Sequence, residues 1–152
     1  MPTVKPCLWF DRNVDEALEH WGAIFGDDLV VESKVPGPEG PTLVADFVVF
    51  GQAVMGLSAG PQFPPSESFS FFLSVDGQAE VDRYWDALIA DGGNESDCGW
   101  CKDKFGFSWQ VVPKQFFELL SSGTPEQSSR VMAAMNTMHK FDVAALQAAY
   151  DG

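Results

Sequence analysis

Three cysteines and two histidines are the side chains of this 152-residue chain with the most obvious capacity for chemistry. Cys98-Gly99-Trp100-Cys101 has the C-x-x-C spacing of thiol redox motifs. Such motifs draw thiolate stability from a following helix N-terminus, whereas Lys102-Asp103-Lys104-Phe105-Gly106 reads as a turn before a strand. Residues three apart in a flat strand point to opposite faces, so two ordinary thiols are the better reading. His20 and His139 lie far apart in sequence, and neither belongs to a ligand spacing or a legible Ser-His-Asp arrangement. Met132, Met135 and Met138 recur at helical spacing and describe a packing stripe.

A different set of residues is set out by strand alternation. Leu8 and Phe10, Met55 and Leu57, Phe71, Leu73 and Val75, and Trp109 and Val111 are apolar alternates suited to pack beneath helices. The opposite parity carries Cys7, Trp9, Gly56, Ser58, Ser70, Phe72, Ser74, Ser108 and Gln110. A face that mixes small, polar and aromatic groups suits a ligand cup. The alternative is a face filled by side chains or by a neighbouring subunit.

The elements that must position these residues follow from periodicity and punctuation. Residues 5–10 read as a buried strand, Asp11-Arg12 as a turn, and Asn13 with Glu16 as a helix cap and capping box. Val14, Ala17, Leu18, Trp21, Ile24 and Phe25 recur at helical spacing, and Gly26 supplies a stop. Strands are expected at 29–35, 43–50 and 53–58, the last two joined by a tight hairpin at Gly51-Gln52. After a Pro-rich linker at 59–68 the order begins again: a strand at 69–75, a helix at 79–90, and strands near 96–102 and 107–112. Leu8-Trp9-Phe10-Asp11 ahead of a helix with Trp21 is echoed by Leu73-Ser74-Val75-Asp76 ahead of one with Trp85, a trace of repetition. The second unit shows one clear strand fewer. Helices follow Pro113, one opened by Thr124-Pro125 with Gln127 and another capped by Asp142.

Composition sets the outer bounds. With 45% hydrophobic and 13% aromatic residues the chain has material for a packed core. Its net charge of −13 disfavours nucleic-acid and anionic-membrane roles. No apolar run is long enough for a membrane span, the N-terminus has no signal-peptide pattern, and three cysteines make no disulfide framework. A cytoplasmic location is expected.

Two strand–helix–strand–strand–strand modules in tandem resemble the vicinal-oxygen-chelate superfamily of glyoxalases and extradiol dioxygenases. Pro6-Cys7-Leu8-Trp9-Phe10-Asp11, Val81-Asp82-Arg83-Tyr84-Trp85-Asp86, Cys98-Gly99-Trp100 and the run from Asp103 to Pro113 are similar to the PhnB-like branch. Members of that branch often carry the label 3-demethylubiquinone-9 3-methyltransferase. The resemblance implies an α+β fold of two tandem βαβββ modules, at 1–58 and 69–113, forming a cupped mixed sheet, with a helical tail at 114–152. It also implies a homodimer.

In metal-dependent relatives each module presents His, Glu or Gln ligands from its first and last strands. Matching strands places Lys5, Gly56, Ser70 and Gln110 at those positions, and one amide oxygen among them cannot hold a divalent cation. No metal and no cofactor are therefore expected. The methyltransferase label finds no support either, because Gly37 with Gly40 and Gly92 with Gly93 lie in loops leading to strands. S-adenosylmethionine needs a glycine-rich loop between strand and helix. The expected function is binding of a small, partly apolar molecule in a metal-free cup. Trp9 and Phe72 serve as walls, Ser70, Ser108 and Gln110 as hydrogen-bonding groups, and Asp46 joins them if its parity faces inward. The rivals are a metal-dependent lyase, isomerase or dioxygenase of the same superfamily and a sequestering, resistance-type binding protein.

Overall fold

The computed structural model describes residues 1–152, which divide into two compact units, Met1–Pro65 and Ser66–Gly152. The first unit runs β1 (Cys7–Phe10), α1 (Val14–Phe25), β2 (Leu29–Pro36), β3 (Thr42–Val49) and β4 (Gln52–Ser58). Its sheet has the order β1-β4-β3-β2, with β1 parallel to β4 and the other pairs antiparallel. One face is covered by α1, whose Val14, Ala17, Leu18, Trp21 and Phe25 are all buried. Trp21 packs between Phe10 and Phe47, at ring-centroid distances of 5.9 and 6.0 Å.

Two local expectations change. Asn13 makes no side-chain cap on α1; instead the Val14 amide approaches Ser58 Oγ from the end of β4, at 3.4 Å. The β3–β4 hairpin turns one residue early, at Phe50-Gly51, because Val49 pairs with Gln52. Both turn residues have positive φ, 46° and 79°, the backbone that a two-residue hairpin of matching twist requires. The Phe50 ring is held against Phe25 at 5.1 Å.

The second unit runs β5 (Ser70–Val75), α2 (Gly77–Ile89), β6 (Asn94–Glu95), β7 (Trp100–Lys102) and β8 (Ser108–Pro113). Its sheet order, β5-β8-β7-β6 with β5 parallel to β8, repeats the first topology. The strand missing from the sequence pattern is β6, only two residues long and joined to β7 through the 96–99 turn. Such a strand is too short to leave an alternation. Both modules are therefore complete βαβββ units in an α+β fold, and neither sheet closes on itself.

The helical tail, α3 (Lys114–Ser122), α4 (Pro125–Met135) and α5 (Val143–Asp151), belongs to the second unit. Thr124 and Gln127 form the capping box that the sequence predicts, and Asp142 caps α5 by accepting from the Ala145 amide at 2.9 Å. Gln78 on α2 fastens the tail, donating to the Phe141 carbonyl and accepting from the Val143 amide, at 3.0 and 2.8 Å. Phe141, 2% exposed, packs on Phe116 and over Gly99.

In the first unit β2 is an edge strand, exposed along nearly its whole length. Its pairing with β3 slips between Val31 and Ser33 and again between Val35 and Pro36.

Candidate functional site

The second sheet divides its residues cleanly. Leu73, Val75, Trp109 and Val111 are buried on the α2 side with Val81, Trp85 and Leu88. The Trp109 indole donates to Asp103 Oδ2 at 2.9 Å, and Asp103 Oδ1 accepts the Phe105 and Phe107 amides. Asp103 is thus a buried structural carboxylate that fixes the β7–β8 turn, with three N–H donors answering its charge.

Alternation sends Ser70, Phe72, Ser74, Ser108 and Gln110 to the opposite face. There Gln110 Nε2 donates to Ser70 Oγ at 2.9 Å. Ser108 pairs with Ser70 in the parallel register and is 2% exposed, yet its hydroxyl has no hydrogen-bond partner. Phe72 stands half in solvent, 6.1 Å from Phe117. The outcome is a small polar cluster beside an exposed aromatic ring.

In the first unit the parity read from sequence holds for β1 and fails for β4. Leu8 and Phe10 are buried on the α1 side, leaving Cys7 and Trp9 on the other. The register pairs Leu8 with Gly56 and Phe10 with Ser58, so both lie on the α1 face. A Cβ at Gly56 would stand 3.0 Å from Phe10 and Val14, so the residue is there to admit the helix. Gly56 is not a vacant ligand position; Met55 and Leu57 occupy the open face instead.

Asp46, paired with Met55, shares that open face and is ion-paired with Lys5, with Ser33 Oγ at 3.5 Å. Trp9 donates its indole N–H to the Gly60 carbonyl at 2.7 Å and meets Phe63 edge-on at 4.8 Å. Trp9 and Asp46 therefore belong to the first unit, and Ser70, Phe72, Ser108 and Gln110 to the second.

The donor chemistry does not fit a divalent cation. No three His, Cys, Asp or Glu side chains lie close enough to hold one. The carboxylate of Asp46 is engaged by an ammonium, and the Gln110–Ser70 pair offers only neutral oxygens. The thiols are equally plain. Cys101 is buried on the α2 side, where burial and then the Asp103 charge push its thiol up to about 12. Cys98 directs its sulfur to the Met135 carbonyl at 3.7 Å. His139 rests on the Ser96–Asp97 turn, with Nδ1 3.0 Å from Asp97 Oδ1.

Sequence reasoning passed over Arg12, read there only as part of a turn. It lines a pocket of about 270 Å³ in the first unit, shared with the β2–β3 loop and the end of β4. No pattern along the chain announces a cavity assembled from three separate segments.

Comparison with known proteins bears on the fold. Residues 2–112 match the model of the family described as 3-demethylubiquinone-9 3-methyltransferase. A PhnB protein from Bacillus cereus superposes with a TM-score of 0.65 at 22% identity, over 74% of this chain and 99% of that one. Protein PA1353 from Pseudomonas aeruginosa gives 0.58 at 26% identity, over 74% and 98%. FosX, a genomically encoded fosfomycin resistance protein from Listeria monocytogenes, gives 0.58 at 11% identity, over 77% and 94%. No curated protein matches the chain.

Proposed function

We propose that this chain, which belongs to the 3-demethylubiquinone-9 3-methyltransferase (PhnB-like) family with its vicinal-oxygen-chelate fold, binds a small, partly apolar molecule without a metal. The observation that carries the reading is the Ser108 hydroxyl, buried without a partner beside the Ser70–Gln110 pair. An unanswered buried hydroxyl costs about 1–3 kcal/mol, and a ligand group bonded to it would recover much of that. Phe72 offers the apolar wall, and the Gln110 carboxamide oxygen accepts from a donor on the ligand. In the first unit Asp46 and Trp9 give a second, more committed surface: the carboxylate is already paired, and the indole N–H already donated.

Binding rather than turnover is proposed, since no side chain of this set is a free general base. Methyl transfer has no support either. The strand–helix junctions are Asp11-Arg12-Asn13 after β1 and Asp76-Gly77 after β5, and neither is the glycine-rich loop that lets a cofactor approach backbone. We further read the protein as a cytoplasmic homodimer. Its three free thiols and the absence of any helix long and apolar enough to cross a membrane accord with the first part.

Ser108→Ala tests the reading. Relief of the unpartnered hydroxyl should stabilise the ligand-free protein by about 1 kcal/mol in denaturant unfolding. The same change should weaken whatever ligand co-purifies in native mass spectrometry, as should Gln110→Ala. A variant that loses stability, or that retains the ligand undiminished, would count against this face.

A further inference from the structure

The first unit holds a feature that the proposed function leaves unused. Of the nine cationic side chains, five lysines meet carboxylates. Arg130 donates to the Ala149 and Tyr150 carbonyls, while Arg83 and Lys104 lie over the rings of Tyr84 and Phe105. Arg12 alone has neither an ion pair nor a hydrogen bond nor a ring beneath it, in a chain with 22 carboxylates. Its backbone has φ 56°, a region that Gly, Asn and Asp enter more readily than arginine. Strain of that kind, at an uncommitted charge, points from geometry to use.

Arg12 lies at the pocket of about 270 Å³ already described. The guanidinium runs along Gly60, where an added Cβ would stand 3.4 Å from Nη2. The opposite wall is the loop with Pro38 and Pro41, tied by Gly37 N–H to the Pro41 carbonyl and Gly40 N–H to the Gly37 carbonyl, at 2.8 and 3.1 Å. That wall is preformed. Leu43 and Ala59 add apolar surface, and Ser58, 6% exposed, lines the pocket with an O–H that donates to no protein acceptor. Glu39 also lines it but forms no ion pair with Arg12.

We propose that this pocket binds a small monocarboxylate with an apolar body, its carboxylate on Arg12 and Ser58 and its body against Pro38, Pro41 and Leu43. The planar fork of arginine suits a carboxylate in two-point contact. A single cation beside Glu39, in an anionic chain, suits one negative charge better than a phosphate dianion. The volume lies just under the range of drug-sized sites, which limits the body to something like one ring. All its lining residues belong to the first unit, and the proposal does not rest on the second unit's polar cluster.

Amide chemical shifts of the full chain, titrated with benzoate, with benzamide as its neutral counterpart and with inorganic phosphate, test the assignment. Benzoate should move the amides of Gly37, Glu39, Gly40, Thr42 and Leu43 and those of residues 58–60 saturably, and benzamide at least about tenfold more weakly. Arg12→Asn, which suits the positive φ while deleting the charge, should weaken benzoate about tenfold or more, and Arg12→Lys should retain part of the binding. Glu39→Gln should tighten benzoate severalfold, by removing a like charge. Equal binding of benzamide, or undiminished benzoate affinity in a folded Arg12→Asn, would overturn the proposal. Phosphate binding tighter than benzoate would overturn the carboxylate assignment.

Discussion

At the scale of single residues, environment decides which of several similar groups is chemically available. Cys7 is exposed, Cys98 half-buried and Cys101 buried with its thiol pushed up to about 12. A neutral, enclosed thiol is a poor nucleophile. The native protein should therefore yield fewer than three thiols to a disulfide reagent at pH 8, with Cys7 reacting first and Cys101 only after unfolding. Rapid modification of Cys101 in the native state would contradict its placement. Asp103 gives the converse case, a carboxylate placed entirely for structure. Asp103→Asn exchanges an acceptor for an amide group facing N–H donors. It should destabilise the second unit by about 2–4 kcal/mol in denaturant titration, without moving the Ser70–Gln110 pair.

At the scale of elements, the strands show what alternation can and cannot reveal. On β1, β5 and β8 polar or aromatic residues alternate with apolar ones, so the faces bearing Trp9, Phe72 and Gln110 were legible. On β4 the pattern misleads. Val14 on α1, together with Phe10 on β1, leaves room only for Gly56, so the small residue faces the helix and Met55 and Leu57 face outward. Hydropathy ranks residues by polarity, whereas the helix selected here by volume. The two-residue β6 and the Arg12 pocket escaped for other reasons, one being too short for periodicity and the other arising from segments remote in sequence. Volume also governs the docking of the tail. A Cβ at Gly99 would stand 2.4 Å from the Phe141 ring, at a backbone φ of 83°. Gly99→Ala should destabilise by more than about 2 kcal/mol, through clash and strain together. Gly40→Ala has φ 106° but open space around it, and should cost about 1 kcal/mol. Similar losses for the two would mean that Phe141 does not hold the 98–99 turn.

At the scale of the whole molecule the dominant quantity is the net charge of −13. Lys34 beside Asp15, Lys102 beside Glu67, Lys114 beside Asp76, and Gln78 with Lys140 beside Asp82 hold those carboxyls below their ordinary values. A depressed carboxyl contributes stability above its unfolded value and loses it as pH falls through the folded one. These contributions should therefore be intact at pH 5 and disappear below about pH 4. Lys114 and Lys140 are raised by Asp76 and Asp82, so their share persists to the ordinary 10.5 and is lost above it. These pairs are exposed or half-buried and individually weak, while unpaired carboxylates are numerous. Repulsion should win at neutral pH, and raising salt from 10 mM to 0.5 M should increase Tm as screening shortens from about 30 Å to only a few. A fall in Tm with salt would show instead that the ion pairs outweigh the repulsion.

The slipped pairing of β2 has a consequence for the fate of the molecule in a crowded solution. A rim strand of eight residues carrying Val30, Val31 and Val35 in solvent is a template on which another chain could stack. Its irregularities at Glu32 and near Pro36 distort the outward row of amides and carbonyls, and Lys34 sets a charge upon it. Deletion of Glu32 would straighten that row. The shortened protein should then nucleate thioflavin-positive fibrils at concentrations where the parent chain stays dispersed, so the unpaired Glu32 would act as one guard against polymerisation beside the second slip near Pro36.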